Sequence, residues 1–321
     1  MNAPLRHVAI AAVALVATAC RQAEKPEVVR LDYATYNPVG LLLKDKGFLE
    51  QALARDGIKV EWTRSLGSNK ALELLNSGSV DFGSTAGAAA LIARSNDNPV
   101  RAIHVFSRPE WTALVTTPAT GIQRIEDLKG KKIAVTRGTD PFVFLIRALD
   151  SVGLTEKDVE VVPLQHADGK AALERGDVSA WAGLDPLMAT AEIDKGARLF
   201  FRNADWNTYG VLDVREEFAR RYPAIVDRVL SSYDQARRHA LAHPDELKAV
   251  LAREAHISDQ VAGVVLGRTD ISSSAIGDRQ VATLLAAGEV LKKSGVVKAS
   301  VDVPTAVKAL VDPSFSERLA R

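Results

Sequence analysis

From Val28 onward, short runs rich in β-branched and aromatic residues alternate with amphipathic stretches of helical period. The order is strand 28–33, helix 39–54, strand 58–62, helix 70–77, strand 82–84, helix 86–93 and strand 100–106. Parallel strands need crossover connections, and a helix is the usual one, so this series predicts an α/β fold with a mostly parallel sheet covered by helices. A second series follows residues 111–117: strand 132–135, helix 141–152, strand 159–164, helix 166–175, strand 180–182, a helix after Pro186 and strand 197–201. From Val211 the pattern is helical, and those helices are expected to return over the first series. The expected division is therefore a first lobe from residues 28–112 and 211–321, and a second from 113–210.

The two series share an internal echo. Ala71-Leu72-Glu73-Leu74-Leu75 precedes Gly78-Ser79-Val80-Asp81-Phe82-Gly83, and Ala171-Ala172-Leu173-Glu174 precedes Gly176-Asp177-Val178-Ser179-Ala180-Trp181. Each reads as an amphipathic helix, a glycine stop and a short buried strand. Two similar lobes facing each other would produce this pattern, and so would a common α/β connection used twice.

The first twenty residues stand apart from the fold. Arg6 gives a basic start, residues 8–16 form a short apolar run, and Ala17-Thr18-Ala19-Cys20 follows. This is the layout of a secretory signal, and the run is too short for a permanent membrane span. Cys20 is the single cysteine in the chain. It resembles the cysteine of a bacterial lipobox, which is diacylated and becomes the mature N-terminus. Ala17 stands where lipoboxes more often carry Leu or Val, so cleavage by the general signal peptidase stays open. An intrachain disulfide is excluded, and stability has to come from a core. The 41 basic and 40 acidic residues leave a net charge of +1, which does not support a nucleic-acid partner or a polybasic membrane surface. Recognition of an anion would have to be local.

Several ordered phrases are similar to the periplasmic sulfonate, taurine and nitrate binding proteins of ABC importers. They are Leu75-Asn76-Ser77-Gly78-Ser79-Val80-Asp81-Phe82-Gly83-Ser84-Thr85, then Ile125-Glu126-Asp127-Leu128-Lys129-Gly130-Lys131-Lys132-Ile133-Ala134-Val135, then Leu145-Ile146-Arg147-Ala148-Leu149, then Ala180-Trp181-Ala182-Gly183-Leu184-Asp185-Pro186. The resemblance covers roughly residues 28–310. It implies a type II periplasmic binding fold, with two α/β lobes closing on a solute in the cleft between them. It also implies a small anionic solute, no cofactor, and delivery to separate ABC permease and ATPase subunits.

In open α/β sheets ligands bind beyond the carboxyl ends of the strands, where helix N-termini and backbone N–H groups can hold an oxyanion. The candidate ligand-binding residues are accordingly Tyr36, Asn37, Ser68, Thr85, Ala86, Arg137, Gly138, Thr139, Asp140 and Asp185, with Trp111 against the organic end. Helix capping is an equal reading for Asn69 and Asp140, and the favoured one for Asp185. Arg108 and Arg137 are the guanidinium groups that could face sulfonate oxygens, and a solvated turn is the equal reading for Arg108. Trp206 and Tyr209 are secondary candidates for the organic end, whereas Trp181 and Trp62 read as packing. The sulfonate-binding relatives usually carry Thr-Gly-Asp at the third-strand turn, where this chain has Thr85-Ala86-Gly87. The missing acid argues for a plain sulfonate or sulfate ester over taurine.

Signatures of enzymes were sought as the competing class. There is no Gly-x-Ser-x-Gly elbow, no His-Glu-x-x-His helix, no P-loop and no Gly-x-Gly-x-x-Gly. The six histidines, His7, His104, His166, His239, His243 and His256, are dispersed and suggest no metal site. A pyrimidine-synthesising branch of the same fold depends on a region rich in histidine and cysteine that this chain lacks. A regulator's effector domain would need a DNA-binding segment where the signal stands. The expectation is an exported, lipid-anchored periplasmic protein that captures an organosulfur anion and has no catalytic residues.

Overall fold

A computed structural model describes residues 25–319. The expected export signal and Cys20 lie outside them. In chain order the strands are β1 (Val28–Tyr33), β2 (Lys59–Arg64), β3 (Phe82–Ala86), β4 (Val100–Pro109), β5 (Leu114–Thr116), β6 (Lys132–Val135), β7 (Glu160–Pro163), β8 (Ala180–Ala182), β9 (Arg198–Phe201), β10 (Gly210–Arg215) and β11 (Thr269–Asp270). They form two sheets, ordered β11-β4-β10-β3-β1-β2 and β7-β6-β8-β5-β9. The halves that carry the echo match: β2-β1-β3 and β7-β6-β8 are parallel throughout, with β2 and β7 at the sheet edges.

Neither sheet is parallel from edge to edge. β10 runs antiparallel between β3 and β4, and β5 runs antiparallel to both β8 and β9. The segment 210–215 was expected to open a helical region; it is instead a strand buried in the middle of the first sheet. Its run Val211-Leu212-Asp213-Val214 is too short for periodicity to separate a buried strand from a helix. The expected single helix 39–54 is likewise two, Pro38–Lys46 and Phe48–Ala54. Gly47 ends the first with φ 63° and its N–H bonds back to Leu43 and Lys44 carbonyls.

Alternation along the second sheet sorts its core to two faces. Leu114, Ile133, Val135, Ala180 and Ala182 pack on Phe144, Leu145 and Leu149. Their neighbours Val115, Ala134 and Trp181 face the other way, onto Leu173 and Met188. The echo exchanges bulk between the lobes. Gly83 makes room for Leu75, whose side chain would lie 2.7 Å from a Cβ there, while Gly169 makes room for Trp181, 2.9 Å away on the same measure.

The C-terminal helices cover more than the first sheet. Helix Asp278–Lys293 contributes Ala287 and Leu291 to a small cluster with Ala88 of the first lobe, Val143 of the second, and Val297. Lys293 also pairs with Asp150 at 2.6 Å. This segment therefore spans the lobe junction.

Two buried carboxylates brace the first sheet. Asp32 accepts from Ser65 Oγ at 2.6 Å and Ser84 N at 2.7 Å, and Asp213 accepts from Thr85 Oγ1 at 2.6 Å. Burial pushes Asp32 up to about 6 and Asp213 up to about 7, despite these hydrogen bonds. A carboxyl raised on folding leaves the native state holding more protons than the unfolded chain between the two pKa values. Its penalty is full above the folded value and is relieved as pH falls toward the unfolded one. Measured by urea unfolding, wild type should therefore gain stability relative to Asp213→Asn between pH 7.5 and pH 5, by on the order of 1 kcal/mol per pH unit at most. A difference that does not change with pH would contradict this. Gly169→Ala should force Trp181 from its slot, lower stability by about 1–3 kcal/mol and alter tryptophan fluorescence; an unchanged melting curve would count against that packing.

Candidate functional site

The chain passes between the lobes at residues 110–113 and again at 202–209, and the two crossings are tied together. Thr112 N donates to Asn207 Oδ1 at 2.9 Å, and Arg202 grips the Glu110 carboxylate through two bonds of 2.9 and 2.7 Å. Asp140, at the start of helix Asp140–Ser151, locks both crossings to the second lobe. It accepts from Trp111 Nε1 at 2.8 Å, Thr208 N at 2.9 Å and Thr208 Oγ1 at 2.7 Å. Burial still pushes this carboxyl up to about 6. Asp140 and Trp111, both expected at a ligand, are thus engaged with each other. The Trp111 ring lies edge-on to Tyr36, centroids 5.9 Å apart, in a cluster that includes Leu184 from the second lobe.

The turns after β1, β2 and β3 gather the other first-lobe candidates, and all of them are buried. Asn37 Oδ1 accepts from Gly40 N, while its Nδ2 donates to Ser84 Oγ. Tyr36 OH donates to the Ser84 carbonyl at 2.9 Å. Ser68 Oγ accepts from Ala86 N at 3.0 Å, so the second and third turns hold one another. Gly87 N and Ala88 N, at the start of helix Gly87–Arg94, donate to Tyr209 O and Thr208 Oγ1 of the return crossing. The polar groups of Asn37, Thr85 and Ala86 are consequently spent on the scaffold.

In the second lobe, Thr139 Oγ1 donates to the Thr136 carbonyl. Asp185 caps helix Leu187–Lys195 through Ala189 N at 2.8 Å and lies 3.5 Å from Arg268, which also pairs with Glu192. Burial raises Asp185 to about 7, against the pull of Arg268. Arg137 is turned out toward Glu156, and half of its side chain is exposed. Gly138 lies opposite Asn69 of the first lobe, whose Cβ is 3.7 Å from where a Gly138 Cβ would stand. Arg108 is exposed beside Asp205, and Trp206 packs with Phe144 and Phe201 inside the second lobe.

One residue that sequence reasoning did not single out is the most exactly placed. His166 opens helix His166–Arg175 after edge strand β7, as Ser68 opens helix Ser68–Asn76 after edge strand β2. The two helix starts meet at Gly67 and the His166 ring. A Cβ on Gly67, which caps the Ser68 helix, would sit 3.0 Å from His166 Nε2 and 2.8 Å from Asn69 Oδ1. His166 is only 3% exposed, and neither of its ring nitrogens nor Asn69 Oδ1 has a hydrogen-bond partner. Burial pushes the imidazole down to about 4, so it is neutral near pH 7, with one N–H to donate. The echo carried the signal: similar helices after similar edge strands bring their first residues to one place.

Among the described residues, no group of three or more His, Cys, Asp or Glu side chains is arranged to hold a metal, and no helix is long and apolar enough to cross a membrane. The site offers backbone N–H groups at a helix start and an imidazole at a lobe junction, which suits an oxyanion.

Known proteins share this fold. A protein of Escherichia coli strain K12 named for binding aliphatic sulfonates is 28% identical over 248 residues, covering 76% of this chain and 77% of its own. The alkanesulfonate-binding protein SsuA from Xanthomonas axonopodis pv. citri, solved bound to MOPS, superposes with a TM-score of 0.82 at 22% identity, over 90% of this chain and 100% of its own. The desulfurization enzyme DSZB has the same fold at a TM-score of 0.66 and 15% identity, over 92% of this chain and 99% of its own. The architecture is that of the periplasmic binding proteins. The model of the family described as NMT1/THI5 like matches residues 41–247, well over half of the sequence, and the chain belongs to that family.

Proposed function

We propose that this protein captures a small organosulfur anion, an alkyl or aryl sulfonate or a sulfate ester, between its lobes in the periplasm and delivers it to an ABC permease and ATPase without turning it over. The observation that carries this reading is the meeting of two buried helix N-termini, one from each lobe, at Gly67 and His166. Partial positive charge and undonated N–H groups converge there from both sides, so an anion bound between them would favour the closed arrangement of the lobes. The relative named for aliphatic sulfonates and the SsuA structure support the choice of anion.

Binding without chemistry fits the state of the buried acids. Asp32, Asp140, Asp185 and Asp213 are each hydrogen-bonded to a turn or crossing, in positions that brace the fold. The sole cysteine belongs to the export segment, which leaves the two lobes without a thiol nucleophile. Micromolar capture needs about −8 kcal/mol. Several charge-assisted hydrogen bonds at about 1.5–3 kcal/mol each supply that after ordering costs.

Calorimetry of the mature protein against alkyl and aryl sulfonates, sulfate esters, taurine, nitrate and formylaminopyrimidines tests the reading. Sulfonates or sulfate esters should bind with micromolar or tighter affinity and emerge chemically unchanged after long incubation. Binding confined to the pyrimidine or to cationic solutes would sink the proposal, and a product formed from any of them would make the protein an enzyme. Lipidation at Cys20 anchors the protein to the membrane in this reading. Cys20→Ala should then move it to the soluble periplasmic fraction, and continued membrane retention would argue against the anchor.

A further inference from the structure

We propose that His166 and the first turn of helix Ser68–Asn76 form a two-sided oxyanion grip, in which the imidazole N–H of the second lobe and the backbone N–H groups of Ser68 and Asn69 donate to different oxygens of one ligand. This deepens the proposed function and rests on it.

Three independent features meet at this point. First, the opening amides of an α-helix have no partners within the helix, and this helix has Gly67 as its N-cap with no side chain to satisfy them. Second, His166 is buried with both ring nitrogens unpartnered, an arrangement that costs free energy unless a ligand or water completes it. Third, the residue between them is glycine, so backbone and ring approach to a distance that a Cβ would reduce to 3.0 Å. His104 is also buried and unpartnered, but it packs against Tyr233, 5.8 Å between centroids, inside the first-lobe core. His166 differs because what it faces is the start of a helix in the other lobe.

The grip explains why the candidate hydroxyls are already engaged. Ser68 Oγ is spent on Ala86 N, which fixes the start of the helix, and the Ser68 amide remains available to a ligand. Asn69 Oδ1 is an acceptor and would repel an oxyanion, so it is the backbone N–H of Asn69, not its side-chain oxygen, that serves the grip. An imidazole opposite supplies a donor across the cleft, and the ligand would touch both lobes only when they are closed.

The test uses mature protein, with propanesulfonate and octyl sulfate as probes in calorimetry and nitrate as a small control anion. His166→Ala should weaken both organosulfur probes at least about tenfold, with unfolding still cooperative. His166→Gln, which restores a neutral donor, should recover most of the loss. In the wild-type protein, long-range 15N spectra of the histidine rings should show the His166 resonances moving when propanesulfonate is added. His166→Ala binding within twofold of wild type, or His166 resonances that do not move, would overturn the grip while leaving sulfonate capture standing. Wild-type protein that binds no probe would remove both.

Discussion

Much of this molecule hangs on the Asp140 carboxylate. It sits at the first turn of a second-lobe helix and accepts from Trp111 on one crossing and twice from Thr208 on the other. A buried carboxylate with three donors is held in place by each of them, so the helix start and both crossings are fixed relative to one another. Thr208 extends the tie by receiving Ala88 N, and Tyr209 receives Gly87 N, which brings in the third-strand turn of the first lobe. The turns that meet at the lobe junction are thereby positioned by the same few residues of connecting chain.

This explains why the sequence located the turns at the lobe junction but not the hydrogen bonds that hold them. The turns after the strands were legible because glycine, proline and short polar residues punctuate them, and their convergence follows from the rule for open α/β sheets. Which of their side chains stay free is decided by partners distant in sequence. Asn37 meets Tyr233, Thr85 meets Asp213, and Trp111 meets Asp140, separations that no local pattern encodes. Asp185 was read as a cap from the Leu-Asp-Pro turn itself, and it does cap its helix. His166 went unnoticed for the converse reason: a lone histidine at a helix start carries no motif, and its role depends on a facing glycine a hundred residues earlier.

The fold shows the same division. Parallel β-α-β units on both sides of the junction were visible in the alternation and in the echo. β10 was not, because it is a brief apolar run that ends the return crossing and enters the first sheet against the direction of its neighbours. Its antiparallel insertion lets one segment carry Tyr209 at the junction and Asp213 in the core. Helix Asp278–Lys293, which touches both lobes, was legible as a helix, but its two packing partners are a property of the assembled lobes.

In the proposed reading an anion is held by dipoles, and the formal charges nearby are paired with one another. Arg137 faces Glu156, Arg108 faces Asp205, and Arg268 is shared between Asp185 and Glu192. Burial pushes the acids beneath the turns up to about 6 or 7, and each is tied to the scaffold by hydrogen bonds. At the junction stand backbone N–H groups of a helix start, together with an imidazole that burial keeps neutral. Fixed dipoles need no reorganisation when the anion arrives, and an uncharged gap can close when empty without trapping an unpaired cation. A guanidinium in the same place would bind the anion more strongly, but it would make the empty closed state costly and hold the ligand against release.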